Sequence, residues 1–499
     1  SDKQVKELMS IGKHAKYLEK SKKKSTKNSS TDKDKEENLT DEDRSLTDDL
    51  QRKSERELID LDEFGNQSQF ARLPCKELID NSIVSFEKLT EQRNKTMLET
   101  EFNIKDSGIM EGFEEYMIGV KKSARFAIKE FELRKAAYQW QRAATAKTGS
   151  LDMNKVHSYK YNEEIFARVT KLANAKNHGM IMLIDYSGSM GMTICQVIDQ
   201  LFHLVTFCKG VNIPFDVYAF TTGTRLTDEQ LYLYRDGDLN LEHMSLPLII
   251  SSSLKKGQYD EALKFLYMKK QANSPRPHYD DQWWSDYTFN GKSEEWGSTP
   301  LNNALLVSHT LIKKFKARHN LDKMNLIVLS DGDSNHLRIW NNKALDAIKL
   351  PLQKSWRGGM TVQVDGKLLR LKDVSRRATT QILESLRKRH QINTIGFFVS
   401  QQAYDWRSKL NEIHAEWVDL KKFNMEYKKN KCITMKNKLG YNEFYLVKGG
   451  KDFSADTSEE DFRVKEEASN VQIRTAFKKF SKNKKLNKVL MTNFGRAVA

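Results

Sequence analysis

The sequence predicts an α/β fold: a doubly wound, largely parallel sheet with insertions, preceded by a helical region and a disordered N-terminus. Three observations predict it. Apolar runs of strand length recur between residues 180 and 449, with helical stretches between them. The first run, MIMLID (180–185), is apolar throughout until it ends on an Asp, as strands buried on both faces read. Strands alternating with helices imply crossover units and a parallel sheet covered on both sides.

Behind MIMLID, the stretch TICQVIDQLFHLVTFCKG reads as a helix that turns Ile194, Val197, Ile198, Leu201, Leu204, Val205 and Cys208 inward. The runs FDVYAF (215–220), NLIVLSD (325–331), NTIGFFV (393–399) and EFYLVKG (443–449) supply further strands. This α/β domain is assigned to residues 151–455, with insertions near 235–296 and 335–390. The first insertion holds the apolar stretch LPLIISSSL, read as helical, and an aromatic-rich loop, RPHYDDQWWSDYTF. In that loop Tyr279, Trp283, Trp284, Tyr287 and Phe289 either anchor the insertion to the fold or form a binding surface. The second insertion holds MTVQVDGKLLRL, whose Asp365-Gly366 pair between alternating runs marks a hairpin turn.

Ahead of the domain, residues 65–150 read as helical. Met117, Val120, Ala124, Ile128 and Phe131 recur at three- and four-residue steps and form one apolar face. Residues 1–64 are a charged segment with too little apolar surface to offset the chain entropy of folding, and read as mostly disordered. Residues 456–499 read as a basic, helical C-terminal tail.

Composition narrows the function classes. A chain of 499 residues accommodates two or three cores, and its net charge of +16 suggests an acidic partner. The surplus is concentrated in AFKKFSKNKKLNKVL and KKSARFAIKEFELRK. No apolar run reaches the roughly 18 residues that a membrane-crossing helix needs. The opening SDKQVKELMS lacks the apolar core of a signal peptide, so a cytoplasmic location is expected. Cys75, Cys195, Cys208 and Cys432 form no CxxC pair and read as buried, reduced thiols. There is no GxxxxGK[ST], HExxH or GxSxG, which argues against a P-loop ATPase, a zinc peptidase and a serine hydrolase. The eleven His are dispersed, and His203 and His309 read as packed or surface residues rather than ligands.

One constellation carries chemistry. Asp185-Tyr186-Ser187-Gly188-Ser189 follows the first strand directly, where ligands of open parallel sheets sit. Its DxSxS spacing puts a carboxylate and two hydroxyls on one tight loop, with Gly188 read as the residue that lets the backbone turn sharply. Alone, that pattern is also what a helix N-cap and polar turn look like. Two further segments complete it: Gly297-Ser298-Thr299-Pro300-Leu301 brings a hydroxyl to the start of a second helix, and Leu329-Ser330-Asp331-Gly332 brings a carboxylate to the end of a third strand. Hard oxygen donors of modest total charge suit Mg²⁺, with Mn²⁺ as a substitute.

DxSxS, the Thr of GSTPL and the Asp of LSDG together resemble the metal-ion-dependent adhesion site of von Willebrand factor A domains, a Rossmann-like fold. The resemblance implies that Ser187, Ser189 and Thr299 contact the metal directly or through one water. Asp185 and Asp331 would hold coordinated waters and hydroxyls from behind. A free coordination position then accepts a Glu or Asp from a partner, so such domains bind rather than catalyse. Over about residues 130–450, RKAAYQWQRAATAKTGSLDMNKVHSYKYNEEIF, NHGMIMLIDYSGSM and DVYAFTTGTRL are similar to the CobT-type subunit of cobalt chelatases and its phage-encoded relatives. Those proteins work beside a MoxR-like AAA+ ATPase.

The implied function is a Mg²⁺-dependent adaptor without catalytic activity of its own. Its partners would be a MoxR-like ATPase and an acidic residue of a protein ligand, in the cytoplasm, including that of a phage-infected bacterium. Two alternatives stay open: a non-catalytic subunit of a cobalt or magnesium chelatase, and a nucleic-acid-binding or virion-associated protein that uses the basic tail.

Overall fold

The computed structural model describes residues 69–141, 144–146, 169–171, 177–222, 228–241, 244–274, 285–340, 359–372, 376–400 and 432–448, with a few positions between 409 and 425. All lie within one unit, residues 60–499. The N-terminal segment 1–64 and the tail 456–499 lie outside the described residues.

The described strands are β1 (Gln69–Arg72), β2 (Ile83–Val84), β3 (Ala144–Ala146), β4 (Val169–Lys171), β5 (His178–Asp185), β6 (Phe215–Phe220), β7 (Leu246–Ser251), β8 (Lys323–Ser330), β9 (Met360–Val364), β10 (Lys367–Leu371), β11 (Asn393–Ser400), β12 (Cys432–Lys438) and β13 (Tyr441–Lys448). The helices are α1 (Lys76–Ser82), α2 (Phe86–Glu99), α3 (Phe113–Gln141), α4 (Ile194–Gly210), α5 (Asp228–Leu231), α6 (Lys256–Ala272), α7 (Leu301–His319) and α8 (Arg376–His390).

Eight strands form the main sheet in the order β12-β13-β11-β8-β5-β6-β7-β2. The five central strands, β13 to β6, run parallel, while β12 and β7 are antiparallel to their neighbours β13 and β6. From β5 the chain moves to one side to form β6, then returns to place β8 on the other side. The carboxyl ends of β5 and β8 are therefore neighbours at the point where the strand order reverses. That is where open α/β sheets leave a crevice for ligands.

Alternate residues of β5 show why its sequence is apolar throughout. Met180, Met182 and Ile184 pack into one core with α4 and α6 residues such as Val197, Leu201 and Leu266. Ile181 and Leu183 pack into the other with α7 and α8 residues such as Leu305, Ile312 and Ile382. A strand buried on both faces has no polar face to alternate with. The inward positions expected for α4 are all buried, and so are Met117, Val120, Ala124 and Phe131 of α3; Ile128 is partly buried against the same core.

Three features differ from the sequence reading. LPLIISSSL was expected to be helical, but Leu246–Ser251 is strand β7, paired with β6. A continuous apolar run this short carries no periodicity to separate strand from helix, and the tertiary edge left open by β6 decides it. The region read as helical also contributes three strands, of which β3 pairs with β4 in a two-stranded sheet. β2 closes one edge of the main sheet beside β7, and β1 joins β9 and β10 in a separate three-stranded sheet, where Gln69 pairs with Met360. Such short segments become strands through partners remote in sequence. Finally, Cys75 is exposed, while Cys195, Cys208 and Cys432 are buried; all four are free thiols.

The Asp365-Gly366 hairpin is present, with φ of +51° and +72° at the two residues and Val364 paired to Lys367. Both angles are positive, as the tight turn matching strand twist requires.

A buried ion pair fastens α2 to the short turn Lys292–Glu294. Arg93 donates from two guanidinium nitrogens to the two carboxylate oxygens of Glu294, each at 2.7 Å, and both side chains are almost fully buried. Burial alone would raise the Glu294 carboxyl, but the charge and hydrogen bonds of Arg93 hold it below its usual value. Replacing Arg93 alone (Arg93→Met) is expected to lower unfolding stability by about 3–5 kcal/mol, because it strands a buried carboxylate. Arg93→Met with Glu294→Leu is expected to recover most of that loss, measured by denaturant unfolding.

Candidate functional site

The structure brings the five sequence-predicted residues to one place at the carboxyl edge of the sheet. Asp185 ends β5 and is fully buried. Its Oδ1 accepts the Ser187 amide at 2.9 Å, and its Oδ2 accepts the Ser330 hydroxyl at 2.6 Å. The first bond folds the loop back on the strand; the second ties the end of β5 to the end of β8. The Ser187 and Ser189 hydroxyls are 3.0 Å apart, and Ser189 Oγ donates to Asp331 Oδ1 at 2.8 Å. Four residues thus form one continuous polar chain. It runs from buried Asp185 and Ser187 to exposed Ser189 and half-buried Asp331.

Thr299 enters from a third segment. Gly297 pairs with Ser187 as an isolated parallel bridge: Gly188 N donates to Gly297 O at 3.0 Å, and Gly297 N donates to Tyr186 O at 3.3 Å. Two residues later, the Thr299 hydroxyl lies 3.9 Å from where a side chain on Gly332 would begin, beside Asp331. Thr299 also accepts the Asn335 amide at its carbonyl, at 2.8 Å, just before α7 starts.

The glycine that this geometry needs is Gly297, not Gly188. A Cβ at Gly188 would meet nothing within 4 Å, and Gly188 is not among the residues with positive φ. The sharp turn assigned to Gly188 is instead a 3₁₀ turn over Gly188–Met192, which any residue adopts. At Gly297 a Cβ would fall 2.3 Å from Thr222 Oγ1 and 3.0 Å from the Thr222 amide nitrogen. Only a bare backbone fits between the two loops there.

A layer not visible in the sequence lies under these loops. The Tyr186 ring, between the two site residues Asp185 and Ser187, lies 5.8 Å from that of Trp296. The buried Lys269 ammonium sits 4.3 Å from the Tyr186 ring centre and 5.0 Å from that of Trp296. Lys269 donates to Asn290 Oδ1 at 3.2 Å and lies 3.9 Å from Asp286, which also accepts Trp296 Nε1 at 2.7 Å. Burial pushes the ammonium below its usual value, against the pull of Glu294 and Asp286. Both loops thus carry an aromatic residue clamped on one buried cation. Of the insertion aromatics, Phe289 is buried and Tyr287 exposed; Tyr279, Trp283 and Trp284 lie outside the described residues.

Burial pushes the Asp185 carboxyl up to about 7; Asp331 adds repulsion, while hydrogen bonds from Ser330 and Ser187 oppose the rise. Beside Thr299 a cleft of about 210 Å³ is lined by Thr222, Asn240, Ser298, Asn303, His336 and Arg338, among others.

Two outcomes follow from this geometry. Gly297→Ala is expected to push the Thr299 loop away from Thr222 and lower unfolding stability by roughly 1–3 kcal/mol, measured by denaturant unfolding. In metal-free protein, the contribution of the Asp185 carboxyl is complete below its unfolded value near 3.8 and is lost as pH rises through about 7. Asp185→Asn is therefore expected to be more stable than the parent at pH 8 in chelator, by roughly 3–4 kcal/mol at most, with the difference shrinking towards pH 4.

No family model matches the chain, and no curated protein matches it. Among solved structures it is similar to the pilus adhesin SpaC from Lactobacillus rhamnosus GG in its open conformation, at 13% identity and a TM-score of 0.29. That similarity covers 65% of this chain and 30% of the adhesin, so the chain spans under a third of the adhesin's length. At that score the likeness carries no inference about fold or function.

Proposed function

We propose that this chain is a Mg²⁺-dependent protein-binding adaptor built on a doubly wound domain of the von Willebrand factor A type. The observation that supports it most is the hydrogen-bonded chain from Asp185 through Ser187 and Ser189 to Asp331, with Thr299 alongside. The donor set fits a hard dication: three hydroxyls and two carboxylates, all oxygen. The rise of Asp185 argues the same way: burial is its main cause and Asp331 adds to it, and a cation between the two acids would relieve both.

In this reading the hydroxyls of Ser187, Ser189 and Thr299 hold the ion, and Asp185 and Asp331 orient those hydroxyls and coordinated water. When bound, Mg²⁺ supplies an electrophilic position for a carboxylate oxygen of a partner protein. Ser330 and the Ser187 amide keep Asp185 in place and favour its ionised form. Exposed His336 and Arg338, lining the cleft beside Thr299, favour an acidic ligand segment. The motif resemblance of residues 130–450 to CobT-type subunits, a reading of the sequence alone, is the ground for proposing a MoxR-like AAA+ ATPase as the partner that the adaptor serves, in the cytoplasm.

Pull-down of a MoxR-like ATPase by the full chain tests the reading. Binding is expected in Mg²⁺, with loss of at least tenfold in affinity in excess EDTA and in Ser187→Ala with Ser189→Ala. Equal capture under all three conditions would remove the metal-dependent mechanism.

A further inference from the structure

We propose that His309, Asp365 and His390 form a second cation site, selective for a first-row transition dication of the Zn²⁺ kind rather than for Mg²⁺. The three residues come from three elements: His309 from the middle of α7, His390 from the last position of α8, and Asp365 from the β9–β10 turn. One ligand atom from each lies within 4.8 Å of the other two. The ring nitrogens His309 Nδ1 and His390 Nε2 face each other at 2.8 Å. Two nitrogens bound to one metal at about 2.0–2.1 Å sit about 2.9–3.4 Å apart, so a small opening of the rings admits an ion.

The surroundings fit. His309 is fully buried, His390 is half-buried and Asp365 is exposed, so the pair is fixed from within and reached from the solvent side. Imidazole nitrogens select Zn²⁺, Co²⁺ or Ni²⁺ over the hard Mg²⁺ that an all-oxygen site suits. Burial and the neighbouring His390 push His309 down to about 3, and burial lowers His390 as well. A neutral ring keeps a lone pair for a metal.

The nearby cations are all engaged. Lys313 binds Asp365 Oδ2 at 2.7 Å, which leaves the carboxylate a second oxygen. Lys316 donates to the His390 carbonyl, and Arg389 donates to the carbonyls of Val364 and Leu368. His309 lies about 12 Å along the α7 axis from the residues that follow Thr299, so the two sites are separate but share one helix. An ion here would staple the β9–β10 hairpin and the end of α8 to that helix.

The alternative is a hydrogen bond between the two rings with no metal affinity. Co²⁺ titration of the full chain in saturating Mg²⁺ separates the two, read by visible absorption and equilibrium dialysis and followed by Zn²⁺ competition. One Co²⁺ per chain, displaced by Zn²⁺, is expected. His390→Ala and Asp365→Asn should each weaken it at least tenfold, whereas Ser187→Ala with Ser189→Ala should leave it unchanged. Asp365→Asn also guards against misfolding, because Asn tolerates the left-handed backbone of +51° at that position. The proposal is overturned if no Co²⁺ binds in saturating Mg²⁺, if binding survives both His390→Ala and Asp365→Asn, or if it is lost in the serine variant.

Discussion

The carboxylate of Asp185 sits at the end of a central strand with no exposure to solvent, accepting one hydroxyl and one backbone amide. A buried carboxylate is costly unless its oxygens are satisfied. Here one oxygen is satisfied by its own loop and the other by Ser330 at the end of β8. The same two bonds therefore solvate the charge, fold the DYSGS loop and lock the central strand pair in register. The remaining site groups, Ser187, Ser189 and Asp331, hang from this anchor in one hydrogen-bonded chain.

The layer beneath extends that anchoring to the Thr299 loop. Lys269 faces the rings of Tyr186 and Trp296 together, one from each loop, and is itself held by Asn290 and Asp286. Two ring faces and a nearby carboxylate offset part of the hydration that this ammonium loses, and burial still holds it below its usual value. Arg93 and Glu294 add a bidentate pair on the same side, with Arg93 also over Phe265 at 4.4 Å. The loops of the candidate site therefore rest on buried charge rather than on apolar packing alone. Buried ionic networks of this kind hold loops in one arrangement, which is what a preorganised binding edge requires.

Above that layer, the sheet supplies the geometry. Because the strand order reverses between β5 and β8, two loops leave the sheet in opposite directions and a crevice opens between them. Gly297 lets the third segment close the crevice by lying directly on Thr222. Away from this edge, α7 carries a different chemistry at His309, where imidazoles from two helices meet an acid from a hairpin. One helix thus begins beside an oxygen-rich site and passes a nitrogen-rich one.

Much of this was legible in the sequence. Five largely apolar runs of strand length predicted the central parallel strands, because a strand buried on both faces has no solvent-facing side to alternate with. The residues Asp185, Ser187, Ser189, Thr299 and Asp331 were legible for a related reason: short loops at strand ends place their side chains within a few residues of a fixed point. The Asp365-Gly366 turn was legible because a two-residue hairpin demands positive φ. Only the tertiary structure decided the rest. It made Leu246–Ser251 a strand, since its partner β6 was the open edge, and it drew β1 to β9 across nearly three hundred residues of chain. It also revealed Ser330, Lys269 and Gly297 as supports, and joined His309, Asp365 and His390. None of these has a local signature, because each depends on an atom contributed by a distant segment.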